Sequence, residues 1–164
     1  MSFAERTIDK RRAPSIDRDV LQLDASIEDF ATFFDVSLDM LCIRSLDGPV
    51  IKVSRSWQTV LGYEPSEIEG SVLLRLVHPD DVEGTLGSIV EVEQRGPNDP
   101  VLGFINRYRH KDGRYRTLEW RAQRHGDRIY AVARDITDRV VAEQALIDAM
   151  AAMEAASRAK SDFL

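Results

Sequence analysis

This chain predicts an α+β fold, a five-stranded antiparallel sheet carrying its helices on one face. Two short apolar segments flank Leu46-Asp47-Gly48-Pro49, a hairpin signal. Three longer alternating segments follow in the second half, each separated from the next by a tight turn. Helical periodicities occupy the remaining stretches, and the chain closes on a long amphipathic run.

The elements follow in order. Residues 1–25 hold no sustained apolar period and contain Arg12-Ala13-Pro14-Ser15, so they are expected to be a flexible or partly helical extension. Ser26-Ile27-Glu28-Asp29 reads as a helix start, and Ile27, Phe30, Ala31 and Phe34 then form one stripe at i, i+3, i+4 and i+7. This makes an N-terminal capping helix that needs a surface to cover. Met40-Leu41-Cys42-Ile43 and Val50-Ile51-Lys52-Val53 are the first two strands. Trp57, Val60 and Leu61 share a helical face, and Pro65 and Gly70 bracket a turn or two of helix.

His78-Pro79-Asp80-Asp81 opens a longer helix with Val82, Leu86, Ile89 and Val90 on one side, ended by Gly96-Pro97-Asn98-Asp99-Pro100. Leu102, Phe104, Asn106 and Tyr108 alternate with more polar positions on the third strand. Lys111-Asp112-Gly113 supplies a turn whose glycine tolerates positive φ. Leu118, Trp120 and Ala122 face one way on the returning strand, with Thr117, Glu119 and Arg121 facing the other. Residues 129–133 are apolar at every position, the pattern of a central strand covered on both sides.

Composition narrows the function classes. The chain has 164 residues, 43% hydrophobic and 30% charged, ordinary for one globular domain with extensions. No apolar run approaches the ~20 residues of a membrane helix, and the first residues do not resemble a signal peptide. A single cysteine fits a reducing compartment, so a cytoplasmic location is expected. Net charge of −6 argues against nucleic-acid binding. The basic residues within 107–128 alternate with apolar ones, as on solvated strand edges, and Lys10-Arg11-Arg12 reads as a solvated tail.

Taken together, five segments resemble the PAS domain family. Leu46-Asp47-Gly48, Leu61-Gly62-Tyr63-Glu64-Pro65-Ser66-Glu67-Ile68-Glu69-Gly70 and His78-Pro79-Asp80-Asp81 resemble its first half. Asn106-Arg107-Tyr108-Arg109-His110-Lys111-Asp112-Gly113 and Ala133-Arg134-Asp135-Ile136-Thr137-Asp138-Arg139 resemble its second half and C-terminal PAC motif. The resemblance implies strand order 2-1-5-4-3 and a sensory or protein-interaction module over residues 26–137. Ala159-Lys160-Ser161-Asp162-Phe163-Leu164 resembles the segment that precedes the phosphoacceptor histidine of sensor histidine kinases. The closing helix reaches Phe163-Leu164 without glycine or turn, and it is read as continuing into a kinase dimerisation domain beyond this chain. A cyclase or another output is the alternative, as is a ligand-free interaction module.

Cofactor expectations follow from the departures. Flavin-binding relatives place a cysteine shortly after the glycine matching Gly70, where this chain has Ser71-Val72-Leu73-Leu74-Arg75, so thiol–flavin photochemistry is excluded. Haem-binding relatives draw a histidine from the longest helix, and residues 81–95 contain none, so haem is disfavoured. His78 is expected to position the chain or cap, and His110 and His125 to be solvated. Three histidines and one cysteine give no metal-ligand spacing. Cys42 is expected to act as a small buried hydrophobe. Leu73, Leu76, Phe104, Asn106, Tyr108, Leu118 and Trp120 could line a ligand pocket, although side chains of these types most often simply fill a core. Asp80-Asp81 reads as a helix-start pair rather than a catalytic one, and no nucleophile triad or phosphate loop is present, so no intrinsic enzyme is expected.

The closing helix, residues 138–164, carries Ala142, Leu146, Ala149, Met153, Ala156, Lys160 and Phe163 at alternating spacings of 4 and 3. That is a heptad seam, on a rod of roughly 40 Å at 1.5 Å per residue. A parallel homodimer would bury it, with the N-terminal helix contributing and a response regulator engaged through the missing kinase domain. Alanines and Lys160 make the seam shallow, suiting a switch between registers. Asp135, Ile136 and Thr137 sit where the last strand becomes this rod, and they are expected to couple sheet to helix.

Overall fold

The computed structural model describes residues 15–164, of which residues 15–35 and 36–164 belong to two separate units. Lys10-Arg11-Arg12 lies outside the described residues. Helix α1, Ser15–Val36, dominates the first unit. It begins earlier than Ser26, whose hydroxyl donates to the Gln22 carbonyl at 2.8 Å. Ser26 thus bonds back into a continuing helix instead of capping a new one. Leu23, Ile27, Phe30 and Phe33 are exposed along it.

The second unit is the sheet and its attached helices. In chain order these are β1 (Met40–Ser45), β2 (Val50–Val53), α2 (Ser56–Leu61), α3 (Pro65–Ile68), α4 (Val82–Gln94), β3 (Val101–Arg109), β4 (Tyr115–His125), β5 (Arg128–Asp135) and α5 (Thr137–Asp162). Short 3-10 turns at Leu73–Leu76 and Pro79–Asp81 join α3 to α4. All strand pairs are antiparallel, and the sheet order is β2-β1-β5-β4-β3, as expected. Strand β5 is central; Ile129 and Ala133 on its inner face are buried, while Tyr130 on the opposite face is exposed.

The core lies between the inner sheet face and the short helices. Met40, Trp57, Leu61, Ile68, Leu76 and Leu118 are its most deeply buried large side chains. Ser54 and Ser56 knit α2 to β1 beneath them. The Ser54 hydroxyl accepts from Leu41 N at 2.9 Å, and Trp57 Nε1 donates to the Leu41 carbonyl at 3.0 Å. These bonds satisfy polar groups that burial would otherwise penalise.

Two local features required more than periodicity. Gly62 ends α2 with φ 79°, and a Cβ there would meet His110 Cε1 and Lys111 Cβ at 3.1 Å. His110 is therefore half-buried against this turn rather than freely solvated. At Gly103, φ 70°, a bulge interrupts β3, so Leu102 points outward while Val101 pairs with Ala122 and is buried. Strict alternation from Leu102 through Tyr108 fails for that reason.

Candidate functional site

Helix α4 does not pack flush on the sheet. Of its predicted stripe, Leu86 and Val90 are exposed and Val82 and Ile89 only part-buried; Thr85 and Val92 are the buried positions. Between the helix and the inner face of β1, β5, β4 and β3 lies a cavity of about 280 Å³. Phe104, Tyr108 and Trp120 form its aromatic side, and Ile89, Val92 and Ile129 its aliphatic side. Leu46, Asp47, Gly48 and Val72 line it beside the β1–β2 turn.

Of the seven residues the sequence suggested, Leu73, Phe104, Asn106, Tyr108 and Trp120 line the cavity. Leu76 and Leu118 belong instead to the closed core beside it. Sequence reasoning missed Cys42 and Arg44 from β1, and Thr85, Ser88, Ile89, Val92 and Glu93 from α4. Thr85, Ser88, Ile89 and Val92 are themselves spaced i, i+3, i+4 and i+7, so a helical face with two hydroxyls on it was available as a signal.

A polar chain crosses the cavity wall. Trp120 Nε1 donates to Asn106 Oδ1 at 2.8 Å, and Asn106 Nδ2 donates to Thr85 Oγ1 at 3.0 Å. Thr85 Oγ1 in turn donates to the Asp81 carbonyl at 2.7 Å. Strands β4 and β3 are thereby tied to the first turn of α4. The Asp81 side chain makes no cap bond to that helix, contrary to the helix-start role its sequence position suggests. Its carboxylate accepts from Arg107 N at 2.8 Å, from Nε at 2.9 Å and from a terminal guanidinium nitrogen at 2.7 Å. The guanidinium hydrogen bonds hold the Asp81 carboxyl below its usual range. His78 Nδ1 accepts from Asp80 N at 3.1 Å, the capping role anticipated for it.

Burial governs the ionisable groups inside. The Cys42 thiol is pushed up to about 12 by desolvation, so it stays protonated and unreactive at neutral pH. Burial raises the Tyr108 phenol as well. Across the strand from Ile129, Arg44 pairs with Glu93 at 3.0 Å. Such a cavity can enclose a small organic molecule; it offers no activated nucleophile. Among the described residues no group of three or more His, Cys, Asp or Glu could hold a metal ion.

The same strands lead to the exit helix. Asp135 pairs with Leu118 across β5 and β4, and Ile136 N donates to the Thr117 carbonyl at 2.9 Å. Thr137 Oγ1 accepts from Thr117 N at 2.9 Å and donates to Asp135 Oδ1 at 2.5 Å. Asp135 Oδ1 also accepts from Thr137 N at 2.9 Å. Ile136 is buried and anchors the junction. Beyond it, α5 has no buried residue. Leu146 is 61% exposed and Met153 73%, on the seam side, with Met150 exposed nearby.

These features meet in one family. The model of the PAS fold matches residues 50–132, and the chain belongs to that family. Among solved structures, the chain is similar to the PAS domain of an HTR-like protein from Haloarcula marismortui, with 24% identity, 73% of this chain and 99% of that one covered, and a TM-score of 0.61. The PAS domain of a protein from Colwellia psychrerythraea has 25% identity, coverage of 69% and 98%, and a TM-score of 0.60. A domain of a sensory box sensor histidine kinase/response regulator from Geobacter sulfurreducens has 18% identity, coverage of 69% and 96%, and a TM-score of 0.58. No curated protein matches the chain. No helix among the described residues is long and apolar enough to cross a membrane.

Proposed function

We propose that this chain is the sensory input and dimerisation region of a two-component sensor histidine kinase. A small molecule in the cavity changes the set of β4 and β5, and α5 carries that change to a kinase domain. One observation carries the reading: the strands that wall the cavity at Trp120, Ala122, Ile129 and Ala131 are the ones whose ends hold the Asp135–Thr137 junction. Two further observations support the output side. The apolar seam of α5 is open along its length, which a second copy of the helix would cover. Ala159-Lys160-Ser161-Asp162-Phe163-Leu164 resembles the segment leading to a kinase phosphoacceptor.

A ligand-free interaction module is the second reading, favoured by the exposed apolar side chains of Ile105 and Tyr130 on the outer sheet face. A different output, such as a cyclase, would use the same junction and rod. Native mass spectrometry of the purified chain, followed by denaturation of the same sample, separates the first two. The sensory reading expects a dimer with added mass that denaturation releases. A dimer of bare chains favours signalling through partner contacts.

A further inference from the structure

We infer that the cavity takes a small monocarboxylate with an apolar body, whose head Arg44 binds by exchanging Glu93 for the ligand. This rests on the reading of the cavity as a sensory site. Arg44 lies on the inner face of β1, two residues beyond Cys42, and both side chains line the cavity. The Arg44 side chain is only 11% exposed. A guanidinium keeps its charge at any working pH, so at this depth it needs an anion beside it.

The anion it has is replaceable. Glu93 reaches Arg44 through one oxygen at 3.0 Å, and its side chain, 30% exposed, already borders water. Arg44 spends its other observed bond on the Ser45 carbonyl at 3.1 Å. A guanidinium carries five N–H donors in a fork suited to a two-point grip on carboxylate, and Glu93 uses one of them. Departure of the Glu93 side chain would not release the end of α4. Arg124, in the same cross-strand row as Arg44 and Ile129, donates to the Glu93 backbone carbonyl at 2.6 Å.

The rest of the cavity sets the body of the ligand. Phe104, Tyr108, Trp120, Ile89 and Val92 offer apolar and aromatic surface, with the Thr85 and Ser88 hydroxyls to one side. A volume of about 280 Å³ lies just below the usual range for ligand pockets, about 300–1,000 Å³. One ring or a short alkyl chain therefore suits it. A dicarboxylate is disfavoured, because the other charged side chains lining the cavity, Asp47 and Glu93, would repel its second charge. An amine would face the Arg44 charge.

Calorimetric titration of the full chain with phenylacetate and hexanoate, each beside its neutral amide, tests this. The acids are expected to bind at least about tenfold tighter than the amides. Arg44→Met should erase that preference while keeping amide binding, and Glu93→Gln should tighten the acids alone. Equal binding of acid and amide by the wild type overturns the carboxylate assignment and leaves the sensory cavity standing. A preference that survives Arg44→Met overturns the role of Arg44. Failure of all four compounds to bind at millimolar concentration overturns the carboxylate assignment, while the sensory reading of the cavity stands or falls on the mass that denaturation releases.

Discussion

Trp120 and Asn106 are joined by a buried hydrogen bond of 2.8 Å from the indole N–H to the amide oxygen, on neighbouring strands that wall the cavity. Asn106 then passes the connection to Thr85 on α4. The cavity is thus held open by a polar strut between sheet and helix, with apolar surface on either side of it. Replacing Asn106 by alanine leaves the indole N–H and the Thr85 hydroxyl without that partner in a nearly dry setting. A loss of about 1–3 kcal/mol is expected, measured by urea unfolding. Unchanged stability would mean that water or another side chain replaces the strut at no cost.

Asp81 and Arg107 make a second tie, and its sign with pH follows from the depressed carboxyl. A carboxylate whose folded value lies below the ordinary 3.8 contributes stability that is complete above that value and is lost as pH falls through the folded one. Asp81→Asn should therefore be less stable than wild type at pH 7, by about 1–3 kcal/mol. The gap should narrow below pH ~4. A gap that is constant from pH 7 to pH 3 would assign the effect to packing.

Thr137 makes a different kind of contact, because its hydroxyl bonds both to Thr117 on β4 and to Asp135 on β5. Thr137→Ala removes both bonds at the root of α5. A net hydrogen bond of this kind contributes about 0.5–1.5 kcal/mol, so the loss of stability is modest. On the proposed kinase reading, the output of the full-length protein is expected to change by more than that modest loss implies, and Asp135→Ala should act alike. Melting that falls by many degrees beside a normal response would make both residues structural.

The α5 seam predicts its own disruption. Leu146 and Met153 are exposed at one core position of the heptad. If α5 pairs with a second copy as proposed, replacing both with glutamate should convert that dimer into a monomer in sedimentation, with the sheet intact by circular dichroism. A dimer that persists would place the association elsewhere.

Much of this architecture was legible in the chain, for definite reasons. The hairpins announced themselves through alternation and glycine turns, and the strand order followed from the family resemblance. Periodicity failed where the backbone departs from it, as at the Gly103 bulge that turns Leu102 outward. It failed also at Ser26, where a hydroxyl bonding four residues back looks, in sequence, the same as a cap. The candidate site was half visible. Leu118 and Trp120 share a strand face, yet one is sealed in the core and the other borders space. Residue type cannot make that distinction, because it depends on how far α4 stands from the sheet. Arg44 and Glu93 lie 49 residues apart, and nothing local joins them.

The most direct test of the coupling from cavity to rod needs no ligand. Ala131 lines the cavity on β5, four residues before Asp135, about 13 Å along a strand. Ala131→Leu fills part of the space without touching the junction residues. Hydrogen–deuterium exchange of this variant against wild type should show altered protection at Thr137 and the first turns of α5, as well as around the cavity. Changes confined to the cavity walls, with the exchange of α5 identical to wild type, would contradict the account.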